Sequence, residues 1–312
     1  MLKRYIVILI LLVFGLQSQA QEDNSVFQFL RLPFSSHAAA LGGENISIIE
    51  NDITMAMHNP ALLSCVGDKT LNLNYMTYIK GTKVARAAFS RTAGDRGAWA
   101  IAGQYLDYGN MTETTADNIS TGTFSAKDIA LSGMYSYDLS DYWSGGVKAN
   151  FIYSKYANYS SFAVGVDLGL NYYLEESDFS ISMVARNLGG QLKTFNGTHE
   201  RLPFDLQLGF TKRMSHAPFR FSGTLYQLTD WKNSKLFDHA VIGMDILASD
   251  NFYLAFGYNF KRGNDMKING SNHWAGFSCG LGLQIKRFNI GLSYAKYHIS
   301  SSSLLMSFSA SL

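Results

Sequence analysis

The chain is 312 residues long, 47% hydrophobic and 14% aromatic but only 16% charged, with 26 Lys and Arg against 24 Asp and Glu and 7 His. A chain so aromatic and so weakly charged is not disordered, two Cys do not staple this length, and the balanced charge leaves no basic face for nucleic acid. One large all-β barrel fits the length.

Lys3 and Arg4 precede an almost wholly apolar run from Tyr5 to Leu16, and Ser18-Gln19-Ala20 places small residues before Gln21. That order is a secretory signal peptide over residues 1–20, cleaved at Gln21. The run of about 12 residues is short of the roughly 20 a spanning helix needs. No Cys follows the cleavage site, so a lipid anchor is not expected there. Removing Lys3 and Arg4 leaves 24 charges of each sign.

Residues 21–68 lack sustained alternation. The small-residue run Ser35 to Gly43, the apolar Ile46 to Ile49, Asp52, and Asn59-Pro60-Ala61 suit close packing in a confined space. Pro60 argues against a continuous strand. The segment is expected to form a plug, with Gly42, Gly43, Asp52, Asn59, Pro60 and Ala61 as its motif.

From residue 69 onward the period is two. Phe162, Val164, Val166, Leu168, Leu170 and Tyr172 share one face, and Ala163, Gly165, Asp167, Gly169 and Asn171 the other. Asp205, Gln207 and Gly209 repeat the second face, as do Ser278, Gly280, Gly282 and Gln284. Strands are predicted at 69–79, 84–92, 97–108, 126–138, 142–155, 161–174, 178–187, 202–213, 217–228, 238–248, 251–261, 275–286, 288–297 and 303–312. The long polar links, 109–123, 188–201, 229–237 and 261–274, all follow odd-numbered strands, while the intervening turns are short. Outer-membrane barrels keep this parity, with short periplasmic turns and long outer loops. The fold class is therefore all-β: a transmembrane antiparallel β-barrel of about 14 strands over residues 69–312. The last strand ends on Leu312 itself and is expected to close the barrel, and the paired Tyr and Trp near strand ends, Tyr108 and Tyr156 among them, are expected in the interfacial girdles.

No catalytic, cofactor-binding or metal site is expected. The chain has no G-x-S-x-G, no H-E-x-x-H and no paired Cys motif, and Gly280-Leu281-Gly282 belongs to a strand. His37 and His58 could approach one another in the plug, but a His pair without a third ligand is ordinarily structural. Inward Lys148, Asn150, Asp167, Asp205 and Asp245 are expected to bond the plug and one another rather than line a pore. The expected working surface is the outer loops, where Lys193, Phe195, Trp231, Lys232, Lys267 and Trp274 mix aromatic and basic side chains as interfaces do.

The small-residue run, Gly42-Gly43, the apolar stretch, Asp52 and Asn59-Pro60-Ala61 resemble the N-terminal hatch of FadL-type outer-membrane proteins. Phe29 to Asn45, His58 to Leu63, Asn187-Leu188-Gly189-Gly190, Leu202-Pro203-Phe204 and Leu208-Gly209-Phe210 are similar to the PorV/FadL-like barrels of Bacteroidetes type IX secretion. The resemblance spans nearly the whole chain after the leader. It implies a fourteen-stranded, FadL-like barrel with a plug, and a non-enzymatic place in the attachment complex of that system. There the barrel would anchor a PorZ-like surface protein, beside PorU- and PorV-like components, so that cargo is processed and attached to the cell surface. It would also contact outer-membrane lipid and lipopolysaccharide. The alternatives it leaves open are a FadL-type channel for hydrophobic small molecules and a PorV-like cargo shuttle.

Overall fold

A computed structural model describes residues 25–79, 81–117, 119–231, 235–267, 274–298 and 301–312. The leader at 1–20 and Lys232 lie outside the described residues.

Fourteen antiparallel strands close into one barrel. They are β1 (Thr70–Thr77), β2 (Lys83–Ala93), β3 (Gly97–Thr114), β4 (Ser120–Asp138), β5 (Trp143–Tyr156), β6 (Tyr159–Leu174), β7 (Phe179–Lys193), β8 (Asp205–Arg213), β9 (Phe219–Leu225), β10 (Ala240–Ser249), β11 (Phe252–Asn259), β12 (Phe277–Ile285), β13 (Phe288–His298) and β14 (Ser301–Ser311). Each pairs with its sequence neighbours, and β1 pairs with β14 from Thr70↔Ser311 to Thr77↔Leu304, so the sheet has no free edge. Among the described residues no helix is long and apolar enough to cross a membrane.

Strand alternation places the side chains as the period requires. Leu131, Phe151, Leu168, Ile181, Phe210, Ile242 and Phe308 stand exposed on the outer face. Their neighbours Ser132, Asn150, Asp167, Ser182, Thr211, Val241 and Ser309 are buried on the inner one. An apolar exterior around a small and polar interior is the inverse of a water-soluble sandwich. Tyr135, Tyr137, Tyr142 and Trp143 are exposed around the short turn between β4 and β5, where an aromatic girdle belongs. Tyr108 and Tyr156 depart from that expectation. They sit on the inward parity of β3 and β5, and both hydroxyls donate to Asp128 at 2.6 and 2.9 Å.

The ladders also run further than expected at one end. The link at 109–123 is mostly strand, because β3 continues to Thr114 and β4 begins at Ser120. Both faces of this extension meet water, so it carries no apolar alternation for a sequence reading to detect. β7 likewise continues to Lys193, past Asn187 in the left-handed region (φ 59°), with a register shift opposite Val166 and Leu168. The link at 261–274 opens with a helix, Phe260–Asp265, whose Asn259 cap accepts from the Arg262 amide.

Residues 25–68 thread the lumen. They enter at the long-loop end, where the Val26 amide donates to the Arg201 carbonyl. They reach the short-turn end at Asn51, whose carbonyl accepts from Asn289. Short helical turns, Ser36–Ala40, Ile53–Ala56 and Pro60–Cys65, carry the chain, each capped by its own side chain: Ser35, Asp52 and Asn59.

Arginine at the outward Phe151, mid-strand in β5, is expected to cost about 2–4 kcal/mol of barrel stability. Glutamine at the inward neighbour Asn150 is expected to cost much less, because polar side chains already line that face. Heat-modifiability of the refolded barrel on cold SDS gels reads the difference.

Candidate functional site

Two regions hold the chemistry of this chain, the contact between the inner segment and the wall, and the rim of long loops.

The inner segment is seated by missing side chains on the wall. A Cβ on Gly146 or Gly169 would overlap Pro60 and Asn59, and one on Gly257 would overlap the Leu41 backbone. Asn59 closes this seat by donating to the Ile46 carbonyl at 2.9 Å and accepting from the Ala61 amide at 3.0 Å. Gly42 and Gly43 have φ of 107° and 100°, a turn that only Gly adopts without strain. Asp52 caps the helix Ile53–Ala56, and its carboxyl is pushed up to about 6 by burial and by the neighbouring Glu50. The motif residues thus act at separate points along the inner segment: Gly42 and Gly43 turn it against β10 and β11, Asp52 caps a helix, and Asn59 and Pro60 seat it on β5 and β6.

Charged clasps complete the contact. His37 stacks on Tyr253 at 4.0 Å and lies between Glu50, at 2.9 Å, and Asp245 of β10, at 2.9 Å. Arg220 of β9 holds the same Asp245 at 2.7 Å. Burial alone would lower the His37 pKa, but the two carboxylates outweigh it and raise it to about 9. Lys148 of β5 donates to the Met57 carbonyl at 2.8 Å and pairs with Asp167 of β6 at 2.7 Å. Asn150 donates to Asp167 as well, at 3.2 Å. Arg186 of β7 reaches Glu44 at 3.4 Å and the Leu30 carbonyl at 3.1 Å. Asp205 accepts from the Gln227 amide and from Gln207. The inward charges therefore bond the segment and one another. His37 and His58 do not meet as a pair: His58 accepts from the Phe34 and Ser35 amides at 3.1 and 3.3 Å.

The lumen is apolar toward its long-loop end. Phe27, Phe29 and Leu32 pack there with Met76, Val84, Leu106, Ile152, Leu202 and Leu305. At the short-turn end a polar cavity of about 340 Å3 lies between Glu50, Asn51 and Asp52 and the wall residues Arg220, Gln284 and Asn289.

The candidate loop residues divide. Phe195 turns inward, half-buried against Tyr156 at 5.2 Å and Phe27 at 6.2 Å, so it belongs to the apolar lumen cluster. Lys193 donates to Ser160 across the β6–β7 ladder at 2.7 Å. Lys267 is exposed just past the helix Phe260–Asp265. Trp231 is exposed and lies against His239 at 4.4 Å, and Trp274 is 79% exposed against Phe277. A sequence reading missed Leu236 and Phe237, the latter 69% exposed and 6.0 Å from Phe260. Their signal was an apolar pair inside an otherwise polar link. Trp231, Phe237, Phe260 and Trp274 all belong to the two loops that follow β9 and β11.

Over residues 121–304 the chain matches the family described as "Type IX secretion system membrane protein PorP/SprF". That is more than half of its length, and the chain belongs to this family. Its fold is similar to the toluene transporter TbuX of Ralstonia pickettii, with a TM-score of 0.59, 12% identity, and 91% of this chain and 100% of that one covered. The toluene transporter TodX of Pseudomonas putida gives 0.59 at 13% identity, covering 89% and 96%. A FadL homologue of Pseudomonas aeruginosa gives 0.56 at 11% identity, covering 88% and 97%. At these identities the likeness is one of fold: a FadL-like barrel. No curated protein matches the chain in sequence.

The His37 clasp sets a pH dependence. A folded pKa of about 9 against an ordinary 6.5 means that its contribution is complete below pH 6.5 and is lost as pH rises through 9. The unfolding temperature of the purified barrel is expected to fall over that window. His37→Gln is expected to cost about 3 kcal/mol at pH 6.5, because it leaves Asp245 and Glu50 short of a cation, and to flatten the profile between pH 6.5 and 9.

Proposed function

We propose that this PorP/SprF-family outer-membrane barrel serves type IX secretion as a non-enzymatic anchor that holds a surface protein on its long-loop rim. The observation that carries the reading is the contrast between the two regions. The lumen is occupied by residues 25–68 through the His37–Asp245 and Glu44–Arg186 pairs and the glycine seats, whereas Trp231, Phe237 and Trp274 are exposed in the long loops. Exposed aromatics beside Lys235, Lys261 and Lys267 have the composition of a protein-binding patch.

In the finer form of the proposal the chain is PorQ-like. Its partner is a PorZ-like surface protein, beside PorU- and PorV-like components, in the complex that processes cargo and attaches it to the cell surface. The barrel supplies binding and no catalysis. The sequence resemblance at Phe29 to Asn45 and His58 to Leu63 supports this form, and the family match supports its coarser part, a secretion-system membrane component. Residues 1–20 act as the cleaved export signal, 21–68 as the plug domain and 69–312 as the barrel, with outer-membrane lipid and lipopolysaccharide around it.

The test is affinity purification of the tagged protein from gently solubilised outer membranes, with and without crosslinking. A large surface protein is expected to accompany the barrel. Phe237→Asp with Trp274→Asp is expected to lower its recovery at least tenfold while barrel abundance and heat-modifiability stay unchanged. A solitary barrel under crosslinking overturns the anchor. Lipid or another hydrophobic molecule recovered from the lumen would then favour a FadL-type channel, and capture of secreted cargo alone a PorV-like shuttle.

A further inference from the structure

A cavity of about 40 Å3 lies between the inner segment and the wall, beneath the apolar cluster. It is lined by Phe34, Met57 and His58 from the segment and by Gln104, Lys148, Asp167 and Arg186 from the wall, among others. A single water needs roughly 10–15 Å3 by the same kind of measure, so the space admits an occupant somewhat larger than water.

The hydrogen bonds around it are one-sided. His58 accepts at Nε2 from two backbone amides, Phe34 and Ser35, so the ring proton is on Nδ1. That Nδ1–H is buried and has no partner among the described residues. Arg186 spends Nη1 on Glu44 and Nη2 on the Leu30 carbonyl, and its buried Nε–H likewise has no partner there. Lining acceptors are taken. Asp167 receives Lys148, Asn150 and the Asn187 amide, Asn150 Oδ1 receives Ser132, and Gln104 Oε1 receives Arg86. The unpartnered buried polar atoms of this lining among the described residues, His58 Nδ1 and Arg186 Nε, are thus both donors.

Charge points the same way. The lining carries Lys148 and Arg186 against Asp167, and Glu44 answers Arg186 at 3.4 Å from just outside that lining. Arg86 stands behind it, bonded to Gln104 and 5.2 Å from the Phe34 ring, with both terminal nitrogens lacking partners among the described residues. Burial, together with Arg186, Lys148 and Arg86, holds the His58 pKa well below its ordinary value, so the ring stays neutral and keeps the tautomer its amide partners impose. A water would bring two donors to a place that has donors in excess. A small anion brings none.

We propose that this cavity is a binding site for a small monovalent anion, chloride being the abundant example, held by His58 Nδ1–H and Arg186 Nε–H. The anion would bridge the inner segment to β7 and place a negative charge near Arg86, the cation of this group that has no carboxylate partner among the described residues. It is a structural ligand of the segment–wall contact, and it is independent of what binds the rim.

The test uses the full-length barrel purified in detergent. In crystals grown with bromide in place of chloride, an anomalous peak is expected in contact with His58 and Arg186. In solution, the unfolding temperature at constant ionic strength is expected to rise by about 2–3 °C for each tenfold increase of chloride over gluconate once the site begins to fill. His58→Phe is expected to abolish that dependence. Should His58→Phe fail to fold, Arg186→Lys keeps the charge toward Glu44, removes the Nε–H, and is expected to weaken the chloride dependence at least tenfold in midpoint concentration. Water without a bromide signal in the cavity, or a wild-type barrel whose unfolding ignores chloride, overturns the proposal. So does a chloride dependence that persists unchanged in both variants.

Discussion

The ladder that closes β1 onto β14 is the constraint from which the rest follows. In hydrocarbon an unpaired backbone amide or carbonyl costs several kcal/mol, so a sheet that crosses a membrane has to be a ring. Closure then fixes the side chains. Period two turns alternate residues of the strands outward, and across the membrane-crossing part these include Leu131, Phe151, Leu168, Ile181, Phe210, Ile242 and Phe308. What points inward is largely Ser, Asn, Gly, Thr and Ala, with a few charges. Such an interior cannot form an apolar core on its own.

Residues 25–68 supply what the wall lacks. They bring Ile46, Ile48, Ile53, Met55 and Leu63, all fully buried, to a lumen whose own large apolar residues, such as Leu106, Ile152 and Leu305, gather toward the long-loop end. Backbone and small side chains approach the wall where Gly146, Gly169 and Gly257 leave room. The charges come as complements. The wall provides Lys148, Arg186, Arg220 and Asp245, and the segment provides Glu44, Glu50, His37 and the Met57 carbonyl. Buried ion pairs gain little over apolar packing of the same shape, but breaking one costs several kcal/mol. These pairs tie the segment to β5, β7, β9 and β10 at named positions, so a shift along the lumen breaks several of them together.

The barrel was legible in the sequence because the wall is written in period two. All fourteen strands lie where the alternation places them, from 69–79 through 303–312, and the parity of long and short links matches the observed ends. Legibility failed where the environment was the same on both faces. The water-bathed extensions of β3 and β4 past Tyr108 and before Phe124 carry Thr, Glu, Gly and Ser with no contrast, and so read as loop. It failed again where partners are distant in sequence. Nothing local marks His37 as the companion of Asp245, 208 residues away, or places Tyr108 and Tyr156 on one carboxylate. Phe195 looked like a surface anchor because its neighbours are polar. Only the path of Phe27 down the same side of the lumen turns it inward.

The two ends of the lumen are sealed by different physics, and this limits how the inner segment can move. Toward the long loops the contact is Phe27, Phe29 and Leu32 on Leu106, Ile152 and Leu305, an apolar cluster that tolerates sliding and repacking. Toward the short turns it is His37, Glu50, Arg220 and Asp245, where a shift of a few ångströms strands a buried charge. Withdrawing the whole segment would take Glu44 from Arg186 and His37 and Glu50 from the Arg220–Asp245 pair at once, and an unpaired buried charge costs several kcal/mol. Rearrangement confined to residues 25–34 would break none of the His37 contacts. The energetics therefore favour local adjustment near the long loops, where the aromatic pair Phe27 and Phe195 joins segment to loop, over expulsion of the segment.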